Sequence, residues 1–145
     1  GQIFRGGEKM RIIEYTTIVE GCAEAEALVS DTSLSFWGGV DPATGMIQDV
    51  HHNLNGRILK GKILCVPYDR GSCSSSGIML EMIRQGTNPT GILCIEAEPV
   101  LALGPVIGEK MYKRGIAMRT VSEDIFQSIP EHCRIQFAEE AIIID

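Results

Sequence analysis

The sequence predicts an α/β fold with a parallel βαβ core and a second, partly antiparallel sheet, and three observations carry that prediction. In the middle of the 145-residue chain, short aliphatic runs alternate with amphipathic helical patterns, the signature of parallel strands joined by crossover helices. Both flanks are rich in β-branched residues, too much so for a simple doubly wound fold. Aromatic residues make up only 6%, so the core has to be built from Ile, Leu, Val, Ala and Met.

Taken in order, residues 1–9 read as an N-terminal arm or an expression remnant, and residues 10–145 as a single domain. A chain of this length buries roughly 68–70% of its unfolded surface and needs no staple. The β-branched density of Arg11–Glu20 predicts a strand stopped at Gly21, onto which Ala25–Val29 pairs back. Ser35–Gly45, with Gly38-Gly39, Asp41-Pro42 and Gly45, predicts a structured loop of tight turns. Gly61–Val66 is the first central strand. Ser74–Gln85 follows as a helix, because Ile78, Met79, Met82 and Ile83 form one stripe and Gly86 supplies a stop. Thr90–Ile95 is the second strand, Leu103–Arg114 a second helix ending at Gly115 with basic residues in its last turns, and Ile116–Val121 the third strand. Ser122-Glu123-Asp124 opens a short helix cut by Pro130, and Arg134–Phe137 and Ala141–Ile144 are closing strands.

Charge and cysteine content narrow the function. The net charge of −6 is spread evenly, with 7 basic and 9 acidic residues in 1–72 and 6 and 10 in 73–145. The only basic cluster is Lys110, Lys113 and Arg114, which argues against a nucleic-acid partner. Apolar runs such as Ile63–Val66 fall far short of a membrane span, and the first nine residues lack a secretory apolar region, so a cytosolic protein is expected. Five cysteines without a C-x-x-C pair fit neither a zinc site nor a disulfide framework; reduced, structural thiols are the reading. His51 and His52 read as solvated loop residues, His132 as a surface residue, and Trp37 as a side chain at a pocket edge.

The chemistry concentrates in Tyr68–Gly77, between the first central strand and the first helix, where α/β sheets place their ligands. Ser74 or Ser75 reads as the helix N-cap. The first turn of a helix leaves backbone N–H groups unpaired and carries about half a positive charge, so it holds a carboxylate or phosphate without a cationic side chain. Gly71 permits close approach. No Gly-Lys-Ser/Thr ends the loop and no serine has glycine two residues away on both sides, which disfavours an ATPase and a serine hydrolase. A serine hydroxyl needs help to act as a base, and Ser72 can take it from helix N-terminal amides and the Arg70 guanidinium, both of which favour the oxyanion.

At Ser35–Gly45 and Arg70–Gly77, with Ala102-Leu103-Gly104 downstream, the chain resembles the swivel domain, or small subunit, of the aconitase X family, over roughly Met10–Val121. That resemblance implies a swivelling β/β/α domain that closes over a larger catalytic subunit, which holds an iron–sulfur cluster and most substrate contacts; this chain alone would bind no metal. Members dehydrate small hydroxy acids, either cis-3-hydroxy-L-proline to a pyrroline carboxylate or mevalonate 5-phosphate. The family's proton acceptor corresponds to Ser72, with Arg70, Gly71, Cys73, Ser74, Ser75, Gly38 and Gly39 as substrate-binding candidates. Ser74 stands where ordinary aconitases carry an arginine that clamps a substrate carboxylate, which argues against a tricarboxylate and for a substrate with a single anionic group. The serine-rich run resembles the bacterial branch more than the archaeal one, favouring hydroxyproline. Two readings of other classes compete: a non-catalytic carboxylate or phosphate sensor using the same helix start, and a purely structural interaction module.

Overall fold

In a computed structural model, residues 2–5, 8–69, 73–97 and 102–145 are described. The chain opens with a hairpin of β1 (Gln2–Arg5) and β2 (Glu8–Ile13), followed by β3 (Thr16–Val19) and β4 (Ala23–Val29). A short helical turn, α1 (Phe36–Gly39), leads into the small hairpin β5 (Val40–Asp41) and β6 (Met46–Ile47). Then come β7 (Ile63–Cys65), β8 (Tyr68–Asp69), helix α2 (Cys73–Gln85), β9 (Gly91–Cys94), β10 (Glu96–Ala97) and helix α3 (Leu103–Tyr112). The chain finishes with β11 (Ala117–Thr120), α4 (Glu123–Gln127), β12 (Arg134–Phe137) and β13 (Ile142–Ile144).

The strands run in the order β1-β2-β13-β12-β4-β7-β9-β11-β3. The central pairs β4–β7, β7–β9 and β9–β11 are parallel, as the alternation predicts, while both flanks are antiparallel. The antiparallel strands expected in a second sheet are thus hydrogen-bonded onto the parallel core through β4. The sheet curls, because β3 at one end and β4 in the middle are joined by only three residues, Glu20–Cys22.

Period-two side-chain alternation makes this a three-layer molecule. On one face Leu28, Leu64, Ile92 and Met118 meet Met79, Met82 and Ile83 of α2, together with Phe36, Ile47 and Leu59. On the other face Ala27, Ile63, Cys65, Leu93 and Ala117 meet Ile135, Phe137, Ile142 and Ile144 of the antiparallel strands. Each residue of β7 and β9 is therefore buried, whichever way it points, which is why these two strands read as unbroken aliphatic runs. Among the described residues, no helix is long and apolar enough to cross a membrane.

Three expectations change. Arg11–Glu20 divides at Glu14–Tyr15 into β2 and β3, which join different strands. Residues 25–29 do not pair back on them: β4 lies between β12 and β7. Its alternation explains the choice, since Ala25 and Ala27 face the dry interior while Glu24 and Glu26 reach Arg134 and Lys62 at 3.1 Å each. The connection is held by Arg119, only 2% exposed, whose Nη1 donates to the Val19 carbonyl (2.6 Å) and Nη2 to the Gly21 carbonyl (2.7 Å). The third change is at α3, which stops before Gly115. Lys113 takes the left-handed conformation (φ 57°), and Arg114 ties the turn to α2 by donating to the Arg84 carbonyl.

Candidate functional site

The carboxyl edge of the parallel strands is where the sequence places the chemistry, and two connections leave it side by side. β8 and β10 continue β7 and β9 past Pro67 and Ile95, and they pair in parallel with Tyr68 opposite Glu96 and Asp69 opposite Ala97. The amide of Ile95 donates to the Pro67 carbonyl at 2.9 Å, keeping the two exits in register. From Asp69 the chain leads to the start of α2 at Cys73, and from Ala97 to the start of α3 at Leu103.

Those two helix starts touch. Ser76, 4% exposed in the first turn of α2, accepts the backbone N–H of Gly104 in the first turn of α3. Ala102, at the N-cap position of α3, has no side chain able to cap, so Ser76 does it from the neighbouring helix. A Cβ at Gly104 would run into the Ser76 backbone carbonyl, so only glycine allows this approach. The two helices therefore bring their positive dipole ends together, an environment that stabilises negative charge.

Arg70, Gly71 and Ser72 lie outside the described residues. Cys73, Ser74 and Ser75 form the first turn of α2, so the expectation that Ser74 or Ser75 is the N-cap is corrected. The helix starts earlier than the apolar stripe alone predicts, leaving Ser72 immediately before its first residue. Gly38 and Gly39 lie in α1, which packs against α2. Gly38 has φ 80° with open space where a Cβ would stand, and its carbonyl accepts from Gln48 Nε2 at 3.2 Å. Trp37 is 64% exposed.

A cleft of about 410 Å³ opens at the same edge, and its lining includes Ser30, Asp31, Asn53, Tyr68, Ile95 and Glu123. Behind it sits a residue that sequence reasoning placed wrongly. His52 is buried, not solvated: its Nδ1 accepts the Leu54 N–H (3.0 Å) and its Nε2 lies 2.8 Å from Ser30 Oγ. Because Nδ1 accepts, the ring proton sits on Nε2 and is donated to Ser30, whose own hydroxyl hydrogen goes to the Thr32 carbonyl. The pair is wired in the wrong sense for a nucleophilic serine with a histidine base. Its effect is to staple the 49–57 loop to the end of β4. His51, one residue away, is exposed with its amide bound to Asp49, and nothing in a His-His pair tells which ring turns inward.

Cys65, Cys94 and Cys133 are buried thiols. Burial pushes Cys65 and Cys133 up, away from the thiolate form that a metal requires. Among the described residues no three His, Cys, Asp or Glu side chains are grouped to hold an ion, so an iron–sulfur cluster has no fitting donor set there.

Comparison with known proteins agrees with the motifs. A family model described as the aconitase X swivel domain matches residues 12–145. Over 112 residues the chain is 43% identical to a cis-3-hydroxy-L-proline dehydratase of Pseudomonas aeruginosa, covering 77% of this chain and 19% of that one. The chain thus spans about a fifth of that relative's length. It is 50% identical over 91 residues to the phosphomevalonate dehydratase small subunit of Methanopyrus kandleri, 63% of this chain and 67% of that one. Its structure superimposes on Thermococcus kodakaraensis aconitase X with a TM-score of 0.80 and 28% identity, over 93% of this chain and 97% of that one.

Proposed function

We propose that this chain, which belongs to the aconitase X swivel-domain family, is the small swivelling subunit of a hydro-lyase that removes water from a small hydroxy acid. The observation that carries the reading is the junction of two helix N-termini, made by Ser76 and Gly104, in the first turn of the helix that Ser72 precedes in sequence. Free amides there hold the substrate's carboxylate and favour the alkoxide of Ser72, with Arg70 as the adjacent cation. Ser72 takes the proton α to the carboxylate. The electron pair of that C–H bond forms the Cα=Cβ bond as the β-carbon–oxygen bond breaks, the departing hydroxide takes a proton from solvent to become water, and Ser72 returns its proton to solvent. Cys73, Ser74, Ser75, Gly38 and Gly39 complete the substrate contacts.

The substrate we favour is cis-3-hydroxy-L-proline, giving a pyrroline carboxylate. The Pseudomonas relative's name and the serine at position 74 support it. Mevalonate 5-phosphate is the second reading, supported by the 50% identity to the Methanopyrus small subunit. The partner is a larger subunit corresponding to the rest of the Pseudomonas chain, and the iron–sulfur cluster is assigned to it. No step on this chain passes through the cluster. The complex is placed in the cytoplasm.

The test is co-expression with the larger subunit, followed by turnover assays on both substrates and a pull-down. Ser72→Ala is expected to lower kcat by roughly 10²- to 10⁴-fold, the usual worth of a positioned base, with assembly intact. An active Ser72→Ala complex overturns the assignment, and micromolar binding of substrate by the isolated chain favours the sensor reading.

A further inference from the structure

Helix α3 is apolar on two sides. One side, Gly104, Pro105 and Gly108, is buried against α2. The other carries Leu103, Val106, Ile107 and Met111, spaced by three and four residues, and all four are exposed, Met111 to 62%. Helix stripes of this kind are normally hidden, and so dense an apolar patch on a short helix marks a contact surface. Between the helices the patch deepens into a groove of about 210 Å³, lined by Ser76, Gly77, Leu80, Leu103, Gly104 and Ile107.

Two features say what covers it. The groove is lined by the Ser76–Gly104 junction itself, so whatever fills it is brought directly against the starts of α2 and α3, the first of which follows Ser72 in sequence. At its far end the stripe runs into Lys110, Lys113 and Arg114, three cations within five residues of a chain with net charge −6. Lys110 and Lys113 form no ion pair among the described residues. An apolar ridge with an acidic rim is the complement of this face. A second copy packed helix to helix does not supply it, since its α3 brings the same three cations.

We infer that the outer face of α3 and the α2–α3 groove form the docking surface for the larger subunit, which seats an apolar ridge in the groove and carboxylates against Lys110, Lys113 and Arg114. This rests on the proposed function for the identity of the partner. A large subunit seated there closes over the helix starts, so that docking and completion of the site are one event.

The test measures affinity of the purified chain for the larger subunit of the same organism. Ile107→Asp with Met111→Asp, both at exposed positions, is expected to weaken binding by roughly 100-fold or more, as for truncation of central anchors in other interfaces. Lys110→Glu with Lys113→Glu is expected to slow association and remove much of its salt dependence. Val50→Asp, at an apolar residue 75% exposed in the 49–57 loop, is the control and leaves affinity unchanged. Circular dichroism and thermal melting establish that each variant is folded. Wild-type binding that survives Ile107→Asp/Met111→Asp overturns the docking surface and leaves the proposed function standing, whereas a wild-type chain that does not bind the larger subunit overturns the proposed function. Self-association of the isolated chain that Ile107→Asp/Met111→Asp abolishes would assign the face to a second copy and overturn the proposal.

Discussion

The two faces of the parallel strands are equally dry, yet they are closed in different ways. The helical face is sealed by flexible aliphatic and Met side chains and by a backbone-close junction at Ser76 and Gly104. The sheet face is sealed by rigid packing: Phe137 lies against Gly91, and the Arg119 guanidinium, with no carboxylate partner among the described residues, stacks between Tyr15 and Phe137 at 5.8 and 5.2 Å. A buried charge held by carbonyls and rings locks one packing arrangement. The sheet face is therefore scaffold, while the helical face carries the helix starts, the groove and the exposed apolar stripe of α3.

That division is testable by its separation of stability from function. Phe137→Ala is expected to cost roughly 3–5 kcal/mol, the range for a buried aromatic truncated to alanine, read by urea denaturation, with affinity for the proposed larger subunit unchanged per folded molecule. A parallel loss of affinity would merge the two faces. Gly104→Ala forces a Cβ onto the Ser76 carbonyl and is expected to cost about 1–3 kcal/mol, but to lower kcat further than its folded fraction explains, because the helix starts are pried apart. Ser76→Ala removes the cross-helix cap and is expected to cost about 1 kcal/mol, with hydrogen exchange faster at the Gly104 amide than at the Ile92 amide in the sheet.

The smallest effect lies on the outer surface of α2. Arg84, and then Gln85, hold the Glu81 carboxyl down at about 2, from an ordinary value of 4.5. A carboxyl whose folded pKa lies below its unfolded one stabilises the fold above the unfolded value and loses that contribution as pH falls through the folded value. Glu81→Gln should therefore flatten the acid limb of the stability curve between pH 4.5 and about 2 and change nothing at neutral pH beyond the loss of the pair. Solvent screening keeps the change small, and acid titration followed by circular dichroism reads it.

Local pattern made most of the elements legible. The central strands and α2 follow from runs and stripes that depend only on neighbours in sequence, and Ser122 caps α4 as its position predicts, accepting from the Ile125 amide. What failed depended on distant partners. Residues 25–29 were free to pair with any strand until burial of two alanines and the reach of Arg119 chose β12 and β7. His52 is indistinguishable from His51 until Ser30 and Leu54 claim its two nitrogens. Ser76 is one of three consecutive serines until Gly104 arrives from 28 residues away.

By itself, then, the sequence determined the α/β class, the central strands and helices, and the order of the motifs that mark the family: Ser35–Gly45, then Arg70–Gly77, then Ala102–Gly104. Tertiary structure decided which of those motifs meet. Backbone periodicity is encoded by near neighbours, but hydrogen-bond partners and close approaches between elements are selected by what must be buried together, and that selection exists only once the layers have packed.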